Sequence, residues 1–273
     1  MTPLRLRVTK YFFFHKRNNV SLRQLISFFF DGSYSAKTKK IIERIESDGD
    51  FKKIFFKSFP QPLYCPPDFP QKSLERVIVE SFYPENWHYY EIPQTKVKPD
   101  DIVVDCGAAE GLFGLLVADR CKKIYLIEPS PEFNKCLQKT FTGKDNVELV
   151  AAAVSDKTGL AKMKENDLSS ALSTDEEGVE VKVETLDHLF YEKGIPVSYI
   201  KIDVEGQDFN TLKGASELIK KNRPTIAVTT YHKYEHAEQI EQLLRSLVPS
   251  YNILTKGISH FTGSPVMLHA WID

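Results

Sequence analysis

The stretch that decides the fold is "IVVDCGAAEGLFG", residues 102–114. A continuous apolar run meets Asp105, and small residues then lead into an apolar pattern, as in the strand, turn and helix of a cofactor-binding α/β unit. Glycines at 107 and 111 let backbone amides approach a ligand without an intervening Cβ. The spacing G-x-x-x-G-x-x-G matches neither the dinucleotide fingerprint nor a phosphate-binding loop, so a phosphate site is disfavoured. A tight turn that binds nothing is the alternative for this stretch taken alone.

Beyond this stretch, short β-rich runs alternate with helical patterns from residue 100 onward. The alternation predicts an α/β domain over residues 97–273, with a mostly parallel sheet of seven strands covered on both faces. A ribbon-like insert over residues 160–189 interrupts the alternation between the third and fourth strands. The expected strands are 102–106, 123–128, 147–154, 198–204, 225–231, 251–256 and 265–272, and the expected helices are 111–120, 131–140, 207–221 and 235–247.

Residues 1–60 are basic and carry helical patterns, for which we expect a small helical N-terminal subdomain. Ser21 and Gln24 are spaced as a capping box, and Gly32 lies just past the apolar pattern, which predicts a helix over 21–30. Two further short helices are expected, one through Ile41, Ile42 and Ile45, the other through Phe51, Ile54, Phe55 and Phe59.

Residues 61–96 follow as a Pro-rich linker and a segment expected on the acceptor side of the site. Five prolines within residues 60–70 remove backbone donors and prevent a continuing helix, which makes this the clearest boundary in the chain. A helix is expected to resume near residues 73–82.

Charge is distributed unevenly along the chain, although the formal net charge is only −1. Residues 1–40 carry nine Lys or Arg against one acid, Asp31, and are near +8, while the remainder is near −9. The overall charge gives no indication of a nucleic-acid partner. The basic segment allows three interpretations: a solvated face, an arm that forms a homodimer, or a dock for an anionic partner such as a phosphate-linked glycan carrier or a membrane surface.

The cysteines and the aromatic clusters bear on the cellular compartment. The four cysteines form no Cys-x-x-Cys pair and lie at no metal-ligand spacing from a histidine, so we expect reduced thiols and no structural metal. The phenylalanine clusters at 12–14 and 28–30 are too short to span a membrane. The expected location is therefore the cytoplasm. The cysteines are Cys65, Cys106, Cys121 and Cys136.

An acidic residue ends the second expected strand, in "KIYLIEPSPEF". Glu128 lies twenty-one residues after Gly107, and a carboxylate at this position accepts both hydroxyls of a ribose in adenosine-containing ligands. The alternative is a carboxylate at a helix start near Pro129 and Pro131, where the helix dipole favours it. Together with the glycine turn, Glu128 favours an adenosine-containing ligand.

The third expected strand ends in small residues and then a polar turn, in "VELVAAAVSDKTG". Residues 151–154 are suited to a flat wall against which an adenine packs, with backbone groups or the Asp156 carboxylate near its amino edge. A surface turn over residues 155–159 is the alternative.

Charged side chains alternate along the fourth expected strand, in "YIKIDVEGQDF". Lys201, Asp203 and Glu205 share one side of the strand because side chains of a strand alternate between its faces. Ligands bind at the carboxyl ends of the strands in open α/β sheets. A structural ion pair is the alternative, above all for Lys201.

These four elements, in this order and at these intervals, resemble the FkbM family of S-adenosylmethionine-dependent methyltransferases over residues 97–272. Residues 1–70 have no counterpart in the resemblance. The matching motifs are Asp105 to Phe113 for an Asp-x-Gly-Ala-x-x-Gly-x-Phe turn, Glu128-Pro129, Ala153-Val154-Ser155, Ile200 to Gly206, Leu212 to Ala215, and Thr185-Leu186-Asp187.

The resemblance implies a class I Rossmann-like fold, S-adenosylmethionine as the cofactor, and O-methylation of sugars or secondary metabolites. Glu110 and Pro129 belong to the implied cofactor set, although many relatives carry Asn or another small polar residue in place of Glu110. By position, Asp105, Gly107, Ala108 and Gly111 would surround the methionine part of the cofactor, Glu128 the ribose, Val154 with Ser155 the adenine, and Asp203 the reacting end.

The group that removes the acceptor's proton is expected at the strand ends near the sulfonium. His232 is the preferred base because an unperturbed imidazole titrates near neutral pH. A surface histidine is the alternative for His232, and Asp203 is the rival base. A divalent metal held by Asp203 with Asp187 or Glu205 ranks below a metal-free site, because no tight ligand motif supports it.

Segments outside the core sheet are expected to bind the acceptor. Trp87 and Tyr90 are suited to stacking on a sugar ring, with core packing as the alternative. We expect Ser169 and Ser170 to contact the hydroxyls of the sugar. His236 is a further residue that we expect to contact the acceptor.

The sequence therefore predicts an enzyme that transfers a methyl group to a hydroxyl, with a saccharide as the favoured acceptor. A methyltransferase-like scaffold that has lost turnover is the alternative, and the intact acids Asp105, Glu128 and Asp203 count against it. An NAD-dependent oxidoreductase is disfavoured by the missing G-x-G-x-x-G.

Overall fold

Helices and strands alternate along most of the chain, and the computed structural model describes residues 3–163, 172–173 and 178–273. Shorter helical turns cover Pro93–Thr95, Ala118–Arg120 and Asp187–Tyr191. The helices are α1 (Pro3–Phe14), α2 (Leu22–Phe30), α3 (Tyr34–Ile41), α4 (Gln71–Phe82), α5 (Leu112–Val117), α6 (Pro131–Thr140), α7 (Asp208–Lys213), α8 (Ser216–Asn222) and α9 (His236–Leu247). The strands are β1 (Ile42–Asp48), β2 (Phe51–Phe56), β3 (Leu63–Cys65), β4 (Ile102–Cys106), β5 (Lys123–Ile127), β6 (Val147–Val150), β7 (Ala153–Val154), β8 (Gly159–Met163), β9 (Leu172–Ser173), β10 (Val179–Glu184), β11 (Tyr199–Ile202), β12 (Thr225–Thr229), β13 (Asn252–Lys256) and β14 (Met267–Trp271).

The central sheet has seven strands in the order β13-β14-β12-β11-β4-β5-β6. Its neighbours are parallel except at β14, which pairs antiparallel with both β12 and β13. Strand β11 is buried along its whole length, because helices cover both faces of a parallel sheet. The predicted α/β class with a mostly parallel seven-stranded sheet is confirmed. The single strand expected over 147–154 is two strands, and β7 leaves the central sheet to pair with β10.

The direction of strand addition reverses at β4. From β4 the chain adds β5 and β6 on one side, and then returns to add β11 and β12 on the other. Helices that follow β4 and β11 therefore leave on opposite faces, and a crevice opens outside the carboxyl ends of these two strands. The decisive stretch around Asp105 ends at this crevice.

Apolar side chains pack on both faces of the sheet. Ile202 and Leu212 belong to the core on one face, while Val103 and Leu126 belong to the core on the other. All four side chains are buried completely, and each such burial contributes roughly 1.5–3 kcal/mol. The two cores hold β4 and β11 in place under the crevice.

The N-terminal region is helical only in its first part. Helix α2 begins with the predicted capping box, in which the Ser21 hydroxyl accepts from the Gln24 amide and the Gln24 side chain accepts from the Ser21 amide. The helices expected through residues 41–45 and 51–59 are wrong, because β1 and β2 form an antiparallel hairpin there. Gly49 adopts φ +59° in the turn. The Asp-Gly pair at residues 48–49 is a strong hairpin signal, and it outweighs the helical spacing of the apolar residues.

The remaining segments follow the sequence more closely. Strand β3 lies within the Pro-rich stretch and extends the hairpin, and α4 corresponds to the helix expected near 73–82. The insert is a ribbon in which β10 pairs antiparallel with β8, as predicted. Within the described part of the chain, no helix combines the length and the apolar character needed to cross a membrane.

Candidate active site

A cavity of about 820 Å³ opens at the crevice between β4 and β11. Its inner walls come from the carboxyl ends of β4, β5, β7 and β11, and its outer walls from α1, α2, α4 and the segment that follows α4. A space of this size lies within the range of small-molecule and cofactor sites. The inner lining comprises Gly107 to Glu110, Ile127 to Pro129, Ala152 to Val154, Lys201, and Asp203 to Glu205.

Gly107 joins the ends of three strands. It has φ +75°, and a Cβ at this position would lie 2.0 Å from the Asp203 carbonyl oxygen. Its amide donates to the Ile127 carbonyl over 3.0 Å. The close contact between the ends of β4 and β11 therefore requires a glycine at this position even without a ligand. Gly111, by contrast, does not line the cavity and packs against Leu137 beneath the first turn of α5.

Asp105 and Lys201 form an ion pair at the base of the cavity. The Lys201 Nζ lies 2.8 Å from Asp105 Oδ1 and donates to the Gly107 carbonyl over 2.7 Å. Burial lowers the pKa of Lys201, but the Asp105 and Asp203 carboxylates outweigh it and leave the pKa raised. Asp105 is completely buried and does not line the cavity, whereas Lys201 does. Asp105 therefore affects the cavity indirectly, through its ion pair with Lys201.

Glu128 lies at the end of β5 with its carboxylate held by the backbone. The Ala109 amide donates to Oε2 and the Ser130 amide to Oε1, both over 2.9 Å. Burial raises the pKa of Glu128 to about 7, although these two amides oppose the shift. Each oxygen keeps a lone pair for a further donor, which suits the two hydroxyls of a ribose. Burial likewise raises the pKa of Glu110, which also lines the cavity, to about 7.

An apolar wall lies beside Glu128. Ile127, Phe133, Ala152 and Val154 all face the cavity, as expected for a surface on which an adenine packs. Ser155 lies outside the cavity lining, where its amide donates to the Glu184 carbonyl over 3.0 Å.

Asp203 is the carboxylate at the end of β11 that reaches the cavity. Its Oδ2 accepts a hydrogen bond from the Tyr90 hydroxyl over 2.7 Å, and its Oδ1 accepts one from Thr229 over 3.2 Å. Burial raises the pKa of Asp203, but His88, Lys201, His232 and Tyr90 together hold it below its usual value. The side chain is 15% exposed, so an ionised carboxylate is available to a ligand.

His88 is a site residue that the sequence analysis missed. Its Nε2 lies 3.7 Å from Asp203 Oδ2 and 3.4 Å from the Tyr231 hydroxyl, while its Nδ1 lies 3.9 Å from the Glu80 carboxylate. The imidazole therefore lies between two carboxylates and lines the cavity. Its position between Trp87 and Tyr90 in the sequence was the signal that could have identified it.

His232 and His236 lie behind the cavity wall and do not line it. His232 Nδ1 is 3.1 Å from Asp208 Oδ2, and its Nε2 is 3.3 Å from Glu205 Oε2. Burial lowers the pKa of His232, but Asp208, Glu205 and Asp203 raise it to about 10. His236 Nδ1 lies 3.8 Å from the same Asp208 oxygen. At neutral pH His232 is protonated, so this geometry argues against it as the base.

Asp203, Asp208 and His232 are also the one group in the described residues whose ligand atoms lie close enough to hold a metal, within 4.8 Å of one another. The Asp208 oxygens are already occupied, because they accept from the Val204 and Gly206 amides, Thr229 and His232. This saturation fits a structural carboxylate rather than a metal ligand. The metal-free site stays a prediction.

The other predicted metal ligand and acceptor residues lie as follows. Asp187 accepts from the Glu217 and Leu218 amides at the start of α8, outside the cavity lining. Trp87 lines the cavity and stacks on Phe28 with ring centroids 5.1 Å apart. Ser169 and Ser170 lie outside the described residues.

The strand order and the position of the cavity define a Rossmann-like methyltransferase fold. The sequence profile described as "Methyltransferase FkbM domain" matches residues 105–251, more than half of the chain, and the protein belongs to this family. No curated protein matches the sequence.

Several solved structures are similar to this chain. A methyltransferase FkbM from Methylobacillus flagellatus KT is 19% identical with a TM-score of 0.51, and the match covers 74% of this chain and 55% of that one. A precorrin-6y C5,15-methyltransferase from Geobacter metallireducens GS-15 is 12% identical with a TM-score of 0.43, covering 77% and 94%. An rRNA methylase from Streptococcus thermophilus is 14% identical with a TM-score of 0.42, covering 65% and 90%. The chain thus spans about half the length of the FkbM structure.

The cofactor of this family, S-adenosylmethionine, fits the lining of the cavity. Its sulfonium and ammonium groups are cationic, and the carboxylates of Glu110, Glu128 and Asp203 reach the space. Glu128 offers lone pairs to ribose hydroxyls, and the apolar wall beside it accepts a flat aromatic ring. Ala108 and Pro129 line the same region, whereas Asp105, Gly111 and Ser155 support it from outside.

Proposed function

We propose that the protein is an O-methyltransferase that methylates a saccharide hydroxyl, with Asp203 as the proton acceptor. The observation that carries the proposal is the position of the Asp203 carboxylate. It reaches the cavity where the cofactor walls meet the segment that contains Tyr90 and His88.

The cofactor, when bound, supplies a methyl group that a positively charged sulfur has already activated. The protein must therefore align the acceptor oxygen and accept its proton, while the new carbon–oxygen bond forms and the carbon–sulfur bond breaks. Asp203 is ionised at neutral pH because its pKa is held below the usual value. A hydroxyl grows more acidic as its oxygen gains the methyl carbon, so a carboxylate of this strength receives the proton late in the step.

His88 supports Asp203 as a positioning residue. Its imidazole lies between the Asp203 and Glu80 carboxylates, at 3.7 and 3.9 Å. The imidazole stabilises Asp203 as a carboxylate, and the hydrogen bond from Tyr90 to the same Oδ2 further restrains its orientation. This arrangement resembles the general pattern in which a base is oriented by a third group.

The charge of the cavity supports a neutral, hydroxyl-rich acceptor. Carboxylates outnumber lysines and arginines along the lining, which disfavours phosphate or carboxylate groups on the acceptor and nucleic acids as substrates. Hydroxyl groups donate readily to carboxylates, and the Trp87 and Tyr90 rings give a sugar apolar faces to contact. The charged lining residues are Asp31, Glu80, Glu85, Glu110, Glu128, Asp203 and Glu205 against Arg5, Arg76 and Lys201.

The test combines binding and turnover. Calorimetry is expected to show S-adenosylmethionine binding to the wild type and to Asp203→Asn, while only the wild type gives saccharides the mass gain of one methylene. His232→Gln is expected to keep turnover within about tenfold, with a pH profile displaced to higher pH, because His232 does not line the cavity but lowers the pKa of Asp203. Cofactor binding with no turnover on any hydroxyl acceptor would support a scaffold, and full turnover by Asp203→Asn would remove Asp203 as the proton acceptor.

A further inference from the structure

The outer faces of α1 and α2 carry large apolar side chains that are about half exposed or more. On α1, Leu6 and Phe13 lie seven residues apart and share one side of the helix, with Phe14 beside them. On α2, Leu22, Ile26 and Phe30 recur every four residues and form a second stripe. Phe14 is 79% exposed and Phe30 is 85% exposed. We call these six side chains the outer apolar face.

The fold does not require this outer apolar face. The opposite sides of the two helices already pack through Val8, Phe12 and Leu25, which are buried against Ile258. Asn18 further fixes the connection between α1 and α2 by donating to the Gly257 and Gly263 carbonyls, each over 3.1 Å. The helices are therefore anchored from inside, and the exposed side chains are free to contact something else.

Positive charge surrounds the outer apolar face. Within residues 3–40 the lysines and arginines are mostly exposed, and the one acid, Asp31, is half-buried and paired with Lys37 at 2.5 Å. The described part of this segment therefore exposes cations without an acid to offset them. The exposed cations are Arg7, Lys10, Lys16, Arg17, Arg23, Lys39 and Lys40.

We propose that the outer apolar face docks on the surface of an anionic lipid bilayer. Phenylalanine and leucine side chains interspersed with lysine and arginine match the chemistry of helices that lie in a membrane interface, where apolar groups enter the acyl boundary and cations meet the headgroups. A second copy of the chain would bring the same cations against one another, which costs free energy. A nucleic acid would engage the cations but leave the phenylalanines in water.

Helices α1 and α2, which carry the outer apolar face, also form part of the cavity wall. Leu4 and Val8 of α1 and Ser27 and Phe28 of α2 line the cavity, and Phe261, which is 69% exposed, lies at its rim. Docking through the outer apolar face therefore places the two helices that wall the cavity against the lipid headgroups. If the proposed function holds, a saccharide carried on a lipid anchor is the acceptor that such docking keeps close to the cavity.

Sedimentation with vesicles tests the docking by itself. The full chain is expected to bind phosphatidylcholine vesicles that contain phosphatidylglycerol, to bind pure phosphatidylcholine weakly, and to be released by high salt. Phe13→Ser/Phe14→Ser/Phe30→Ser is expected to weaken binding at least tenfold. Leu160→Ser, which changes a side chain that is 68% exposed on β8, is the matched control and is expected to bind as the wild type does.

A variant that lacks three exposed cations tests whether lysine and arginine side chains contribute to docking. Lys10→Gln/Lys16→Gln/Arg23→Gln is expected to weaken vesicle binding by about fivefold for each cation removed. The matched control removes three exposed lysines elsewhere and is expected to have no comparable effect. It is Lys122→Gln/Lys135→Gln/Lys193→Gln.

Three outcomes would overturn the docking proposal. They are no binding to anionic vesicles, binding that neither variant weakens, and a mass in solution of two chains that the phenylalanine variant reduces to one. The variants are expected to keep wild-type turnover on a free saccharide, because none of the changed residues lines the cavity. A loss of vesicle binding with retained turnover therefore separates the docking surface from the proposed function.

Discussion

Gly107→Ala tests whether the first glycine of the decisive turn serves the protein or its ligand. An alanine here adopts φ +75°, which costs about 1–2 kcal/mol for an L-residue. Its Cβ would also lie 2.0 Å from the Asp203 carbonyl oxygen, and no rotamer relieves a contact between two backbone-fixed atoms. Separating β4 from the end of β11 adds about 1–3 kcal/mol, as overpacking does in well-packed interiors. The expected loss in the free energy of unfolding is therefore about 2–5 kcal/mol.

Gly143→Ala is the matched control for the backbone term. Gly143 has φ +80°, and a Cβ there would meet no atom within 4 Å. This variant is expected to lose only the strain of about 1–2 kcal/mol. Urea unfolding of the ligand-free protein, followed by tryptophan fluorescence, measures both losses on the same scale.

The comparison of the two variants decides the question. If Gly107→Ala loses no more stability than Gly143→Ala, the steric argument is refuted. If Gly107→Ala is as stable as Gly143→Ala but binds S-adenosylmethionine more weakly, the glycine is needed for ligand binding. We expect Gly107→Ala to show the larger stability loss together with lower turnover, because a displaced β11 end carries Asp203 out of position.

Two further changes test the buried charges of the site. Burial raises the pKa of Glu128 from 4.5 to about 7, so ionisation costs the folded state and the free energy of unfolding of the ligand-free protein falls as the pH rises through this interval. Glu128→Gln is expected to flatten that fall in urea titrations across the interval, whereas an unchanged slope would show that Glu128 is not its source. Lys201→Met leaves the Asp105 carboxylate buried without its partner and is expected to cost about 3–5 kcal/mol. The double variant Asp105→Asn/Lys201→Met is expected to recover most of that loss, and a strictly additive double variant would contradict the pairing.

The central sheet was predictable because its signals are local. Each inner strand is an apolar run that ends at a polar or small residue, and parallel strands bring those ends to one edge. Glu128 and Asp203 follow directly from this rule, and both reach the cavity. The signal for the hairpin at Gly49 is also local, because an Asp-Gly pair favours a tight turn between two strands. The spacing of the apolar residues in these strands fits a helix as well, so the correct prediction required the turn signal to outweigh the spacing.

The outer wall of the cavity was not predictable in the same way. His88 follows neither a strand nor a motif, and it reaches Asp203 only because the segment after α4 folds back over the crevice. The sequence also could not show that His232 points behind the wall, since it lies three positions past the end of β12, on a turn whose direction is set by tertiary contacts. Here that direction is set by Asp208, which faces His232 Nδ1 at 3.1 Å.

Asp208 holds the turn at the end of β11, next to Asp203, in place. Its oxygens accept from the Val204 and Gly206 amides and from Thr229, so this one buried side chain closes the turn that follows Asp203. His232 Nε2 lies 3.8 Å from Asp203 Oδ1, on the side away from the cavity. His232 thus contributes to the low pKa of Asp203 without contacting an acceptor, as His88 and Lys201 do from other directions. Because His88, Lys201 and His232 lower the pKa of Asp203 from three separate segments, it remains ionised in a cavity where burial raises the pKa of Glu110 and of Glu128 to about 7.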